Sequence, residues 1–588
     1  MKAILTLTNT AYKHITGSNI SDMREIQNIK VLKNEEFGLQ LLIESDEEFI
    51  AVRGQYMDIA WKGLINKIRV EITAMDSKDG HDLSQYFKVN LVDYVLDDEK
   101  NLIADRLMNS NSRLAVTLDQ MVYITGRLPE DYSGSEIKLC IKAFYSKAYE
   151  DEDLVYKKEV PILVHNYSIA DIKDSEFYMD LWQHPCNWAR IYDLPYYGEE
   201  HFEVIDNYLK GMSVLGQKVC NLVISDYPWA GQRCYKIEEN HMNLFELNIV
   251  KVVKDSTGNF KCDFTAMDKY INLAKKHNML DEINIFGILG NWDAYDFGNP
   301  LKDYRDPIRI SYYDEPTASF RYISTKEDLT TYIRLVFNHI KAIGFWEKTL
   351  IMSDEPDDPE LFKKAEQVLS EAACGSKIKI KCAIHDQKFL EEYGENIKSV
   401  SLNTCELVNN LEGIDSIQKN IQLKGGTITW FSCCFPSQLN IFLKSPLIES
   451  RLIGWFTYYM NMDGFLRWAY GIWPGDVTKD ASYKKEKWAA GDMFLVYPGK
   501  NKKPEESVRL KNIIYGLQDW ILLKKSEKII GKDAIYAKLE NLLGKKEDMK
   551  FVPKREVELF HSLEYHSYME LREWIISKLI EEEKDCIF

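Results

Sequence analysis

Residues 348–386, KTLIMSDEPDDPELFKKAEQVLSEAACGSKIKIKCAIHD, hold one complete unit of the pattern that decides the fold. An apolar-biased run from Thr349 to Met352 ends in Ser353-Asp354-Glu355-Pro356. A helical period follows over 359–373, with Pro359 suited to a first helical turn. A second apolar run then covers 378–386. Strand, helix, strand at this spacing implies a parallel pair joined by a crossover helix.

The same rhythm extends in both directions. Strands are expected at 177–183, 218–228, 282–290, 348–356, 378–386, 399–406, 427–434 and 464–474. Helical periods lie between them at 201–216, 266–277, 329–344, 359–373 and 448–462, and an amphipathic helix at 507–525 closes the series. Eight strand-then-helix units, with strands apolar enough to be buried on both faces, predict a (β/α)8 barrel. No GxGxxG follows the first strand, so a dinucleotide-binding open sheet is not indicated.

Upstream, short β-prone runs at 37–43, 67–75, 86–96, 121–128 and 138–146 alternate with polar turns, which predicts an antiparallel β-sandwich. The expected organisation is therefore an α/β-plus-β chain of three parts. These are an N-terminal sandwich over 1–165, a catalytic barrel over 166–525, and a short helical tail over 526–588 packed on the barrel's outside.

Composition narrows the function. Ninety-one acidic against 74 basic residues leave a net charge of −17, which argues against nucleic acid or an anionic membrane as partner. No run of about 18–20 apolar residues is present, and MKAILTLTNTAYKH lacks the apolar core of a signal peptide. The 11 cysteines form no CxxC pair, so a reduced, cytoplasmic protein is expected, with Cys382, Cys405, Cys433 and Cys434 read as small apolar residues. The histidines show neither HxH nor HExxH spacing, and no metal or other cofactor is expected.

In a (β/α)8 barrel the chemistry sits at the C-terminal strand ends. Those positions read Trp182-Gln183-His184, Asp226-Tyr227, Asn291-Trp292-Asp293, Ser353-Asp354-Glu355-Pro356, His385-Asp386, Trp430 and Arg467-Trp468-Ala469-Tyr470. Any one tryptophan can be core, but their recurrence beside carboxylates and amides suits a sugar, whose apolar ring faces stack on aromatics. Neighbouring strand residues ordinarily point to opposite faces. Pro356 is expected to keep Glu355 extended and so to let both acids face the pocket. Two close carboxyls raise one pKa, leaving a proton for general-acid work. Helix capping accounts for Asp357 or Asp358 but not for Asp354 and Glu355.

These residues resemble a known family. The run from Trp430 to Gly499, with GFLRWAY (464–470) and AGDMFLVYPG (490–499), is similar to glycoside hydrolase family 123. So are MDLWQHPCNWARIYDLPYYGEEHF (179–202), CDFTAMDKYINLA (262–274), SDEP (353–356) and NEEFGLQLLI (34–43). The resemblance implies retaining hydrolysis of terminal β-linked N-acetylgalactosamine, with the sugar's own acetamido oxygen as nucleophile and an oxazoline intermediate. It casts Glu355 as acid and base and Asp354 as the acetamido-orienting partner. His184, Asn291, Trp292, Trp430, Asn440, Arg467, Trp468 and Tyr470 become candidates for holding the sugar. The implied partner is an oligosaccharide or glycoconjugate, and the oligomeric state stays open. One departure stands out: the family's Asp-Ser-Arg-Phe is replaced by Asp480-Ala481-Ser482-Tyr483. A hydrolase of the same scaffold acting on another sugar, and a non-catalytic carbohydrate-binding protein, are the alternatives.

Overall fold

The computed structural model describes residues 2–18, 23–54, 66–227, 246–289, 308–356, 359–384, 386, 389–390, 396–482 and 488–585. The N-terminal strands are β1 (Ala3–Thr8), β2 (Ile29–Lys33), β3 (Glu36–Arg53), β4 (Asn66–Asp76) and β5 (Phe87–Leu96). They are followed by β6 (Leu102–Leu107), β7 (Ser112–Arg127), β8 (Glu136–Lys147) and β9 (Asp153–Ser168). The long strand β3 pairs with β1 through Gln40–Ser45 and with β4 through Phe49–Arg53, and its register against β7 breaks between Glu44 and Phe49. The sheet thus changes partners at that break and folds over one apolar core that includes Leu41, Ile43, Val70, Val122, Ile141 and Val160. Two of the pairings, β3 with β4 and β2 with β9, are parallel, so the sheet is mixed where an antiparallel one was expected.

The chain then runs through β10 (Tyr178–Leu181), α1 (Pro185–Ile191), α2 (Glu199–Ser213), β11 (Val219–Val223), β12 (Lys251–Lys254), β13 (Phe260–Asp263), α3 (Thr265–Lys276) and β14 (Glu282–Phe286). It continues with β15 (Ser311–Asp314), β16 (Ser319–Tyr322), α4 (Lys326–Ala342), β17 (Thr349–Asp354), α5 (Pro359–Ala372) and β18 (Ile380–Ile384). Next come β19 (Ile397–Asn403), α6 (Thr404–Asn409), α7 (Leu411–Leu423), β20 (Ile428–Phe431), α8 (Leu447–Tyr459), β21 (Gly464–Arg467) and α9 (Val508–Ile530). Eight parallel strands pair in the order β10-β21-β20-β19-β18-β17-β14-β11, one in each of the eight expected runs. Strands β12, β13, β15 and β16 form a separate small sheet that the sequence reading did not foresee.

The two ends of that eight-strand path, β10 and β11, meet through side chains. Their backbones share a single bridge, Met179 with Gln217, beside a Lys218 N–H to Met179 carbonyl bond of 3.1 Å. The Gln217 amide accepts from Leu181 N–H at 2.7 Å and donates to the carbonyls of Leu181 and Val219 at 3.1 and 2.8 Å. The Gln183 amide donates to the same two carbonyls and accepts from Asn221 N–H at 2.9 Å. Two amides therefore satisfy strand-edge groups that a neighbouring backbone would otherwise pair.

Inside the barrel, the lower level is polar. Lys381 on β18 reaches Asp180 on β10 at 2.6 Å and Glu282 on β14 at 3.0 Å, all three buried. Above it lies an apolar plug of Trp182, Val223, Phe286, Met352, Ala383, Phe431 and Leu466, drawn from seven of the eight strand segments.

Helix α9 is buried on nearly every side from Val508 to Leu523, where the sequence reading expected an amphipathic helix. It crosses α8 so closely that a Cβ on Gly454 would lie 1.9 Å from the Gly516 carbonyl oxygen. The third part covers it: α10 (Lys532–Leu543) and α11 (Tyr565–Asp585) follow in the chain. Arg572 of α11 binds both Asp519 of α9 and Glu35 in the turn between β2 and β3. The tail thus packs on α9 and the N-terminal sheet together.

Candidate active site

Asp354 is the last residue of β17, and its pleat position places it on the same face as Met352, two residues below in the apolar plug. It is 9 % exposed, and among the described residues nothing donates a hydrogen bond to its carboxylate. Burial, and then the neighbouring Glu355 charge, push its carboxyl well above the usual range.

Glu355 departs from expectation. Its φ is 45°, in the left-handed region, instead of the extended conformation that Pro356 was expected to enforce. Its N–H is held by the Ala383 carbonyl at 2.9 Å. The backbone kink, not extension, takes Glu355 out of strand alternation and leaves it electrostatically coupled to Asp354. A non-glycine residue at positive φ carries local strain that the surrounding structure must support.

Counting two residues from the plug toward the mouth identifies the other inward positions. From Trp182 this gives His184, from Phe431 it gives Cys433, and from Leu466 it gives Trp468. Asn403 pairs with Phe431 in the ladder and shares its face. His184 is fully buried, and burial pushes its imidazole down to about 3, so it is neutral at working pH. It meets Trp468 edge to face with ring centroids 6.4 Å apart, and Trp468 in turn leans on Trp488 at 5.4 Å. The Trp468 indole donates to Asp492 Oδ1 at 3.3 Å. The Cys433 thiol is pushed up, first by its hydrogen-bonded neighbour Cys434, then by burial and by the charges of Glu355 and Asp492. Glu355, Cys433 and Asp492 therefore share one neighbourhood.

Several expected sugar contacts lie elsewhere. Trp430 occupies the opposite pleat face from Phe431, packs on Phe456 and Phe465, and donates its indole N–H to Thr457 at 2.8 Å. It is core between β20 and α8. Arg467 is fully buried and committed to the carbonyls of Ser432 and Asp492, the Asn440 Oδ1, and the Asp492 carboxylate at 2.7 Å. Asn440 donates to the carbonyls of Cys433 and Pro436 while accepting from Arg467 and Ile441 N–H, so its amide is spent on loop structure. Tyr470 is buried against Tyr208 of α2. These four hold the wall from behind, because their side chains point outward or into loops. Asn291 and Trp292 lie outside the described residues.

Asn403, Cys433, Trp488 and Asp492 were not foreseen. For Asn403 and Cys433 the available signal was strand parity; for Trp488 and Asp492 the sequence offered none. Ser482, at the family's departure, accepts from Lys100 in the turn between β5 and β6 at 2.7 Å, so this segment is tied to the N-terminal strands.

A carboxyl pair with one buried member, a neutral histidine and an indole pair at a barrel mouth suit proton transfer beside a stacked ring. Among the described residues no group of three or more His, Cys, Asp or Glu side chains is placed to hold a metal ion. Residues 182–525 match the family model "Glycoside hydrolase 123, catalytic domain". The chain belongs to glycoside hydrolase family 123. A solved family 123 glycoside hydrolase from Clostridium perfringens, described in work on glycolipid glycan hydrolysis, superposes with a TM-score of 0.77 at 19 % identity. That match covers 100 % of this chain and 99 % of the other, so the two share their whole fold. A Bacteroides uniformis β-glucuronidase aligns over 85 % of this chain and 49 % of its own at 8 % identity, but a TM-score of 0.25 is too slight to bear on fold or function. No curated protein matches. Among the described residues no helix is long and apolar enough to cross a membrane.

Proposed function

We propose that this family 123 glycoside hydrolase removes terminal β-linked N-acetylgalactosamine with retention of configuration, through an oxazoline formed by the substrate's own acetamido group. The observation that carries the reading is the Asp354–Glu355 pair, two coupled carboxyls at the barrel mouth with Asp354 buried and its affinity for a proton raised. Such a pair titrates as a unit, so a proton it takes up belongs to both carboxyls.

When the acetamido N–H fills the space against Asp354, that carboxylate accepts it, and the shared proton resides on Glu355. The acetamido oxygen attacks the anomeric carbon while Glu355 protonates the departing glycosidic oxygen, which leaves as the aglycone alcohol. Positive charge on the oxazolinium nitrogen is balanced by Asp354. Water then attacks the anomeric carbon, gives its proton to Glu355 and restores the acetamido group. No enzyme nucleophile takes part, so the distance between the carboxyls does not predict stereochemistry. His184 and Trp468 serve this reading as a neutral hydroxyl contact and a stacking face, with Asn403 one step deeper beside Phe431.

The test is p-nitrophenol release from the β-N-acetylgalactosaminide, set beside other aryl glycosides and inhibition by an N-acetylgalactosamine thiazoline. Failure of the thiazoline to inhibit an active enzyme would remove substrate assistance. The second reading, a different sugar on the same scaffold, draws support from Ser482, which stands where the family's arginine would be and is tied to Lys100. Preference for an aryl glycoside without an acetamido group would decide for it.

A further inference from the structure

Beside the acid pair lies a feature that hydrolysis does not use. Cys433 and Cys434 are consecutive, both half-buried, with their sulfurs 3.9 Å apart. Their other contacts are weak: the Cys433 sulfur receives Asn403 Nδ2 at 4.0 Å and faces the Phe435 carbonyl at 3.9 Å. All nine described cysteines are free thiols, and no other two of them are neighbours in the chain.

A direct disulfide fits this pair poorly. An S–S bond needs about 2.05 Å, and the usual Cα separation of at least about 4.4 Å exceeds the ~3.8 Å between consecutive residues. A larger atom bonded to both sulfurs fits without such strain. Trivalent arsenic is pyramidal and holds two thiolates closer than the observed 3.9 Å but far wider than a disulfide, so a small χ1 rotation of either cysteine brings the pair to its spacing.

We propose that Cys433 and Cys434 form a bidentate site for a trivalent arsenical at the rim of the active site, and that its occupation blocks Glu355. In the reaction with phenylarsine oxide, two arsenic–sulfur bonds replace the arsenic–oxygen bonds. The oxygen leaves with the two thiol protons as water, and no electrons are transferred. The phenylarsenic group then stands at the barrel mouth, because Cys433 packs on the plug that contains Met352, two residues below Asp354 and three below Glu355. Binding rests on the two thiols alone; loss of turnover rests on the hydrolase reading above.

The experiment treats the native full-length chain with one equivalent of phenylarsine oxide and follows intact mass, peptide mapping and aryl-glycoside hydrolysis together. One phenylarsenic group is expected on the peptide carrying residues 433–434. Turnover should fall at least tenfold in step with it, and a small dithiol, but not a monothiol, should reverse both. Cys434→Ser should keep wild-type turnover and resist the reagent, with its melting curve confirming the fold. An adduct mapped elsewhere, no adduct at one equivalent, or an equally sensitive Cys434→Ser overturns the site. An adduct on the pair with turnover intact overturns the blocking of Glu355. An adduct on a chain that hydrolyses no glycoside leaves the dithiol site supported and the hydrolase reading overturned.

Discussion

The inner and outer faces of the barrel wall near its mouth carry similar residues with opposite fates. Trp468 on the inner face meets His184 and Trp488, whereas Trp430, one strand away on the outer face, is sealed against α8. Asp354 faces the mouth without a donor among the described residues, while Asp492, a loop away, is spent on Arg467. Residue type therefore does not separate substrate contact from scaffold at this barrel end. Pleat parity does, and Glu355 escapes parity only through its positive φ.

The largest expected effect tests the inner face. Glu355→Gln should lower kcat/KM by roughly 10²- to 10⁴-fold, the usual contribution of a general acid, with an unchanged melting temperature. Unaltered turnover would move the acid elsewhere. On the outer face, Trp430→Ala should cost about 3–5 kcal/mol of stability in denaturant melts, as a cavity left by a large buried ring does, while the pH profile of turnover keeps its shape. A changed profile at normal stability would place Trp430 at the substrate.

The contrast extends to a carboxylate off the mouth. Glu246 is fully buried at the start of α1, accepting from Cys186 N–H and from the Asn187 backbone and side chain, and burial pushes its carboxyl up to about 7. The folded state holds that proton more tightly than the unfolded chain, whose carboxyl titrates near 4.5. Its contribution is thus complete below pH 4.5 and fades as pH rises toward 7, by about 3 kcal/mol at about 1.4 kcal/mol per unit. Glu246→Gln should flatten the dependence of stability on pH across that window; an identical slope in the variant would refute the assignment. The smallest effect is expected for Trp468→Ala. Loss of one stacking face is worth about 1 kcal/mol, so KM should rise about fivefold with kcat little changed.

Much of this architecture was legible. Every barrel strand overlaps an expected run, β19 beginning two residues ahead of its own, because apolar segments buried on both faces stand out from amphipathic helices. Helices α6 and α7 were missed, as they follow directly on β19 and carry Gly413 in the first turn of α7. The small sheet escaped because its strands are four residues long. Periodicity also reports a strand but not its partner, so the parallel β3–β4 pairing could not be read. At the site, Asp354 and Glu355 were visible as consecutive acids at a strand end. Cys433 and Asn403 were readable in principle by counting alternate residues, whereas Asp492 acquires its place only through Arg467, 25 positions away in the chain.

The glutamine seam between β10 and β11 has a consequence for how this barrel can change. Elsewhere the wall is sewn by peptide groups, which every residue but proline supplies in full. Along this line four edge groups depend on the identity of two residues, so the cylinder is closed by genetically editable stitches. Replacing Gln217 with the isosteric glutamate would set a carboxylate against the Leu181 and Val219 carbonyls that now receive its N–H groups. The fold would then part at a known line, immediately beneath Trp182 and His184. A change remote from the acids could in this way alter the width of the mouth without touching a residue that lines it.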